Sequence, residues 1–145
     1  MRLHMKVLAA AVSVLLSSLS CHHAVQKTTA VPVLIGAPHP ALDACPSTAV
    51  PKVPQAGPRL EVRSGPGARY ELVDRLSHGT VFYLCWPDDS GEWIGIVYPP
   101  DHSDPGSGAS TWQCGVSTPA PSRTPYSGPC KSGWIPIGTY EVMAG

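Results

Sequence analysis

Proline divides this chain into stretches that can hold regular backbone pairing and stretches that resist it. Seven of its 17 prolines fall in residues 21–58 and seven more in 99–129, leaving three across 59–98 and 130–145. Each proline fixes φ and removes a backbone donor, so proline-dense segments are poor helix interiors and poor central strands. The 14 glycines bring proline plus glycine above a fifth of the 145 residues, a balance that favours turns and short strands over helices. The ten aromatic residues all lie from Tyr70 onward. Residues 21–58 therefore read as an extended, polyproline-like arm without the large side chains needed for a core of its own. Residues 99–130 read as a long surface loop inserted into a unit spanning 59–145. Such a length calls for a function or a covalent staple.

The proline-poor remainder is patterned for a sheet. Leu60 and Val62 alternate before the turn Ser64-Gly65-Pro66-Gly67, and Glu71-Leu72-Val73 leads to Leu76 before Ser77-His78-Gly79 turns the chain. Val81 to Trp86 is a β-branched and aromatic run, Asp88-Asp89-Ser90-Gly91 a hairpin turn, and Trp93 to Tyr98 a further strand. Gly133-Trp134-Ile135 and Tyr140-Glu141-Val142 supply two more short strands. Alternation places Phe82 and Leu84 inside. Gly95, in mid-strand, invites a bulge. The fold these strands predict is all-β, a small barrel of about five short strands. The Gly65-Pro66-Gly67 corner is architecture, since glycine takes unusual φ without penalty and Pro66 presets its own.

Residues 1–20 place Arg2 and Lys6 ahead of the apolar run Val7 to Leu16, with small residues following. Ten apolar-dominated residues are too few to span a bilayer, so this is the pattern of an export signal. Without it, eight basic side chains face ten acidic ones, a net charge of −2. No basic face remains for nucleic acid.

Of five cysteines, Cys21 directly follows Ser18-Leu19-Ser20, where an export signal would be cut. This resembles the lipobox of bacterial lipoproteins, although Ser18 stands where that motif prefers leucine. The resemblance implies lipidation of Cys21 and anchorage on the periplasmic face of a membrane, the outer membrane in a Gram-negative envelope because His22 rather than Asp follows. Ordinary signal peptidase cleavage, leaving Cys21 as a thiol, is the alternative. The remaining four cysteines allow three pairings in an oxidising compartment. The favoured set joins Cys114 to Cys130, stapling the insertion, and Cys45 to Cys85, pinning the arm to a strand. The first would stabilise by roughly 3 kcal/mol on the chain-entropy estimate.

Four blocks occur in order: L-E-V-R-S-G-P-G-A-R-Y from Leu60, L-S-H-G-T-V-F-Y-L from Leu76, G-E-W-I-G-I-V from Gly91 and S-G-W-I-P-I-G-T-Y from Ser132. Together they resemble the bacterial SH3 (SH3b) family across residues 60–98 and 132–142. Glu61 stands where that family usually has asparagine, and the 99–130 insertion separates strands that a short turn normally joins. The resemblance implies an SH3-like barrel and a non-catalytic module binding cell-wall peptide (peptidoglycan). Extended ligands of that sort stack on aromatic grooves, and Tyr70, Trp93, Tyr98, Trp134 and Tyr140 are the aromatics that could line one. Each is also large enough to be needed in so small a core.

No catalytic group, cofactor or metal is expected. A cysteine nucleophile needs a histidine and a scaffold to orient both, and the cysteines other than Cys21 fit disulfides better. Cys21-His22-His23 could ligate a metal, but lipidation would consume the thiolate. His78 and His102 fall in expected turns and read as solvated. The alternative function is a periplasmic protein–protein interaction module or inhibitor acting through the 99–130 loop. Its partner would be an envelope protein rather than the wall.

Overall fold

The central β-hairpin follows directly from the sequence pattern. Phe82 to Pro87 and Trp93 to Tyr98 pair antiparallel across a turn in which Gly91 adopts φ 72° and donates its N–H to the Asp88 carbonyl at 3.0 Å. The computed structural model describes residues 28–36, 39, 41–104 and 113–145, and the regular structure among them is entirely β. The expected export signal, Cys21 and the Cys21-His22-His23 cluster lie outside the described residues.

Among the described residues nine strands form: β1 (Leu34–Ile35), β2 (Ser47–Pro51), β3 (Leu60–Arg63), β4 (Leu72–Leu76), β5 (Phe82–Pro87), β6 (Trp93–Tyr98), β7 (Thr124–Pro125), β8 (Lys131–Pro136) and β9 (Tyr140–Ala144). Seven make one sheet in the order β4-β3-β8-β6-β5-β2-β9, while β1 and β7 pair separately. Strands β3, β4, β5, β6, β8 and β9 are those anticipated from hydrophobic alternation. The stretches on either side of the insertion do join one sheet, with Trp134 of β8 opposite both Arg63 of β3 and Gly95 of β6.

The expected closed five-stranded barrel is not formed. Strand β2, from the segment read as an unstructured arm, pairs with β5 on one side and with β9 on the other. Its insertion lengthens the sheet and leaves β4 and β9 as separate edges. The arm is therefore not a free tether over its length: residues 47–51 are part of the sheet. Nothing in Ser-Thr-Ala-Val-Pro announces this, because the pairing is made by backbone groups whose partners lie far along the chain.

The two faces of the sheet bury different clusters. One gathers Leu60, Val62, Leu76, Phe82, Ile96 and Ile135, with Tyr140 packed against it. These residues come from strands at both ends of the sheet, so the sheet curls to bring them together. Phe82 and Leu84 are buried, as alternation requires. The other face is covered by the arm and the insertion together, in a cluster containing Val33, Cys45, Cys85, Val97, Val116 and Trp134. That double cover makes β6 buried from Ile94 through Tyr98 with no alternation.

The covering layer is held by backbone bonds and by the two disulfides. Ile35 pairs with Thr124 and Leu34 with Pro125, Tyr126 N–H donates to Val33 O at 2.8 Å, and Cys45 N–H donates to Val116 O at 3.0 Å. Cys45 is bonded to Cys85 and Cys114 to Cys130, the pairing favoured from sequence. Gly95 does not kink its own strand. The bulge lies opposite it on β5, where Cys85 and Trp86 together span the gap between the Leu84–Ile96 and Pro87–Ile94 pairs. A Cβ on Gly95 would come within 2.6 Å of a Val33 methyl, so the glycine is a seat for the arm.

Candidate functional site

The Ser64-Gly65-Pro66-Gly67 corner sets the position of Tyr70. Gly65 lies against the Tyr70 ring so closely that a Cβ there would overlap it, and Tyr70 N–H donates to Gly67 O at 3.1 Å. The Arg69 guanidinium lies 5.2 Å above the same ring. Tyr70 is 8% exposed, so it closes the corner and does not offer a stacking face.

The other aromatics singled out from sequence are also distributed through the framework. Tyr98 is fully buried and donates its hydroxyl to Asp74 Oδ2 at 3.0 Å. Trp134 is 5% exposed, and its indole N–H donates to Val31 O at 2.8 Å, tying the arm to the sheet. Trp93 is half-buried in a shallow depression with Leu60, Arg63 and Pro136. Tyr140 is half-buried and meets Phe82 edge to face at 6.4 Å. The five do not converge on one groove.

A polar cluster forms where the residues after β6 return across β4. Asp74 Oδ2 accepts from Lys131 Nζ at 2.9 Å, from Tyr98 Oη at 3.0 Å and from His102 Nε2 at 3.1 Å. Its other oxygen accepts from Arg75 N–H at 2.8 Å. Burial pulls the Asp74 pKa upward, but the bonds from Lys131, His102, Arg75 and Tyr98 together outweigh it and hold the carboxyl well below the usual range. Burial first, and then the neighbouring Asp74 charge, push the Tyr98 phenol far above its ordinary value. His102 is therefore not a freely solvated turn residue: it takes φ 58° and lies edge-on to Tyr98 at 5.7 Å. With every Asp74 oxygen engaged, this is a clamp joining β4, β6 and β8. Among the described residues no three His, Cys, Asp or Glu side chains are grouped to hold a metal ion.

A cleft lies elsewhere among the described residues, where the covering layer meets the sheet. It encloses about 260 Å³ between Val31, Pro32 and Leu34 of the arm, Pro66 of the corner, the β5 end at Trp86 and Pro87, and Arg123 of the insertion. Trp134 forms part of its wall, and Asp88 and Asp89 lie at the turn beyond β5. Most of this lining is apolar, and the polar groups in it are few and different in sign, as in small-ligand sites.

Those polar groups are not equally free. The Asp88 carboxylate accepts from the Ser90 hydroxyl at 2.7 Å and from Trp93 N–H at 3.0 Å, and the Ser90 bond leads in holding its pKa below the ordinary value. Asp88 is thus committed to the hairpin turn, leaving Asp89 as the exposed carboxylate. Arg123 is exposed, with its guanidinium 4.9 Å from the centre of the Trp86 ring. Among the described residues it makes no ion pair. The Trp86 indole N–H is buried without an acceptor among the described residues, an uncommon state for such a group.

Neither Trp86 nor Arg123 is among the site residues read from the sequence. Trp86 was visible only as the end of a strand, before Pro87. Arg123 carried a faint signal as the one Lys or Arg between Arg75 and Lys131. Their meeting depends on the arm and the insertion folding onto the same face, which no local pattern encodes. Compared with protein-family models, curated proteins and solved structures, the chain matches none.

Proposed function

We propose that this chain is a non-catalytic module of a bacterial envelope, anchored through lipidated Cys21 and binding cell-wall peptide in the cleft beside Trp86. The observation that carries the reading is the cleft itself. It joins apolar walls and an indole face to a guanidinium from Arg123 and a carboxylate from Asp89. Wall peptides are short, largely apolar in their alanine units, and bear free carboxylates and amines, so both signs of charge have a counterpart.

Three further features support it. The two disulfides suit an oxidising compartment beyond the cytoplasmic membrane. The export-signal pattern points to the same compartment, and the SH3b-like sequence blocks imply the same ligand class. The seat of recognition differs from the aromatic groove anticipated from sequence, since Tyr70, Tyr98 and Trp134 are buried.

The test is cosedimentation of the folded, disulfide-bonded protein with purified sacculi. Wild type should pellet with the wall material, and Trp86→Ala should pellet at least tenfold less while keeping its sheet signal in circular dichroism. Wild-type retention no greater than that of a tag-only control rejects the reading.

A further inference from the structure

The cleft contains a cation held in place that makes no ion pair among the described residues. Arg123 follows Ser122, whose carbonyl closes over Gly36, and precedes Thr124, which pairs with Ile35 of β1. A side chain at position 36 would collide with the Ser122 carbonyl, and Gly36 takes φ 94°, so glycine is required for this approach. The backbone on both sides of Arg123 is thereby fixed to the arm. Its guanidinium rests over the Trp86 ring and meets no carboxylate among the described residues. Beside it, the buried Trp86 indole N–H has no acceptor among the described residues.

An exposed guanidinium held over an indole at the edge of an apolar cleft asks for an anionic acceptor. A planar guanidinium engages a carboxylate through two parallel hydrogen bonds, and those charge-assisted bonds are the strong ones. Across the cleft the apolar surfaces of Val31, Pro32, Leu34 and Pro87 suit the small side chains of a peptide end. We infer that the cleft takes the carboxylate terminus of its peptide, and that Arg123 is the residue that selects it. This rests on the wall-peptide reading and makes it specific: the free acid binds more tightly than the amide.

Preorganisation is what gives the selection its strength. The ordering of a long side chain is a large part of what polar recognition costs. Here the stacking on Trp86 and the pinned backbone at residues 122 and 124 have already removed much of that freedom. Lysine at this position would keep the charge but lose the fork and most of the stack.

The experiment compares N-acetyl-Lys-D-Ala-D-Ala with its C-terminal amide by calorimetric titration of the disulfide-intact protein. In parallel, the indole N–H signals are followed by nuclear magnetic resonance. The acid should bind wild type at least roughly tenfold more tightly than the amide. Arg123→Gln should erase that preference, and Arg123→Lys should restore only part of it. Because Arg123 is exposed, Arg123→Gln should keep its unfolding temperature within about 2 °C of wild type, so a lost preference reports recognition and not folding. The Trp86 indole N–H signal should move further on adding acid than on adding the same concentration of amide. Equal binding of acid and amide, binding of neither, or a preference that survives Arg123→Gln overturns the assignment. In each of those cases retention on sacculi decides the broader reading by itself: retained protein keeps wall binding without carboxylate selection, and unretained protein removes both.

Discussion

Val33 sits where the side chain of residue 95 would otherwise be. Gly95 lies in the middle of β6, and a Cβ built there falls 2.6 Å from Val33 Cγ1 and 3.3 Å from Cγ2. Val33 is 1% exposed, so the arm docks by filling the space a glycine leaves in the sheet. The contact fixes residues 31–34 over the sheet, and Val31, Pro32 and Leu34 line the cleft.

Gly95→Ala should force Val33 out of its seat and cost about 1–3 kcal/mol, the range for overpacking a filled site. Val33→Ala should cost about 2 kcal/mol by leaving a void. The double variant should be more stable than the sum of the two losses, because each change relieves the other. Urea unfolding of the four proteins checks this, and strict additivity would remove the direct contact from the account.

Cys45–Cys85 spans 40 positions and Cys114–Cys130 spans 16. On chain entropy alone, removing the first should cost about 4 kcal/mol and the second about 3 kcal/mol. Their functional effects should differ more than that. Loss of Cys45–Cys85 removes the covalent tie between the arm and β5 beside Trp86, so sacculus retention should fall further in Cys45→Ala/Cys85→Ala than in Cys114→Ala/Cys130→Ala. Unfolding midpoints and sedimentation, measured on the same preparations, separate the two effects.

Asp74 makes stability depend on acidity with a definite sign. Its folded pKa is depressed below the ordinary 3.8, so the carboxylate stabilises the fold fully above that value. The contribution is lost as pH falls through the ordinary value toward the folded one. Thermal unfolding between about pH 6 and about pH 2 should therefore decline less steeply for Asp74→Asn than for wild type. Tyr98→Phe, which removes one of the bonds to Oδ2, should cost about 1 kcal/mol near neutral pH. Parallel slopes for Asp74→Asn and wild type would show that the clamp contributes nothing to acid sensitivity.

Tyr70 tests whether the corner is architecture. Tyr70→Ala should uncover Gly65 and destabilise by about 3 kcal/mol, the lower end for losing a large buried ring. Tyr70→Phe should leave both stability and sacculus retention close to wild type, since the ring rather than the hydroxyl fills the corner. A Tyr70→Phe protein that folds normally but is not retained would make this residue a ligand contact.

Six strands were legible in the chain because each carries its own signal. Phe82 and Leu84 alternate inward, Gly91 and Gly79 take positive φ at the turns, and the proline-poor stretches coincide with β3 to β6, β8 and β9. Strand β2 was not legible, since Ser47 to Pro51 has little apolar content and owes its place to hydrogen bonds with β5 and β9. Gly95 was noticed, but its purpose was hidden because Val33 lies 62 positions away in sequence. The aromatics were noticed as well. Three of them went to the core, where a small sheet has most need of large side chains.

By itself, then, the amino-acid order determined an all-β chain, the positions of its tight corners and a disulfide count that pairs without remainder once Cys21 is set aside. These are local matters of φ preference, side-chain alternation and cysteine parity. Tertiary structure alone decided that the sheet stays open, that the arm and the insertion form one covering layer, and that Trp86 and Arg123 face a common cleft. Each depends on backbone and side-chain groups from distant segments satisfying one another, and that satisfaction exists only after the chain has folded.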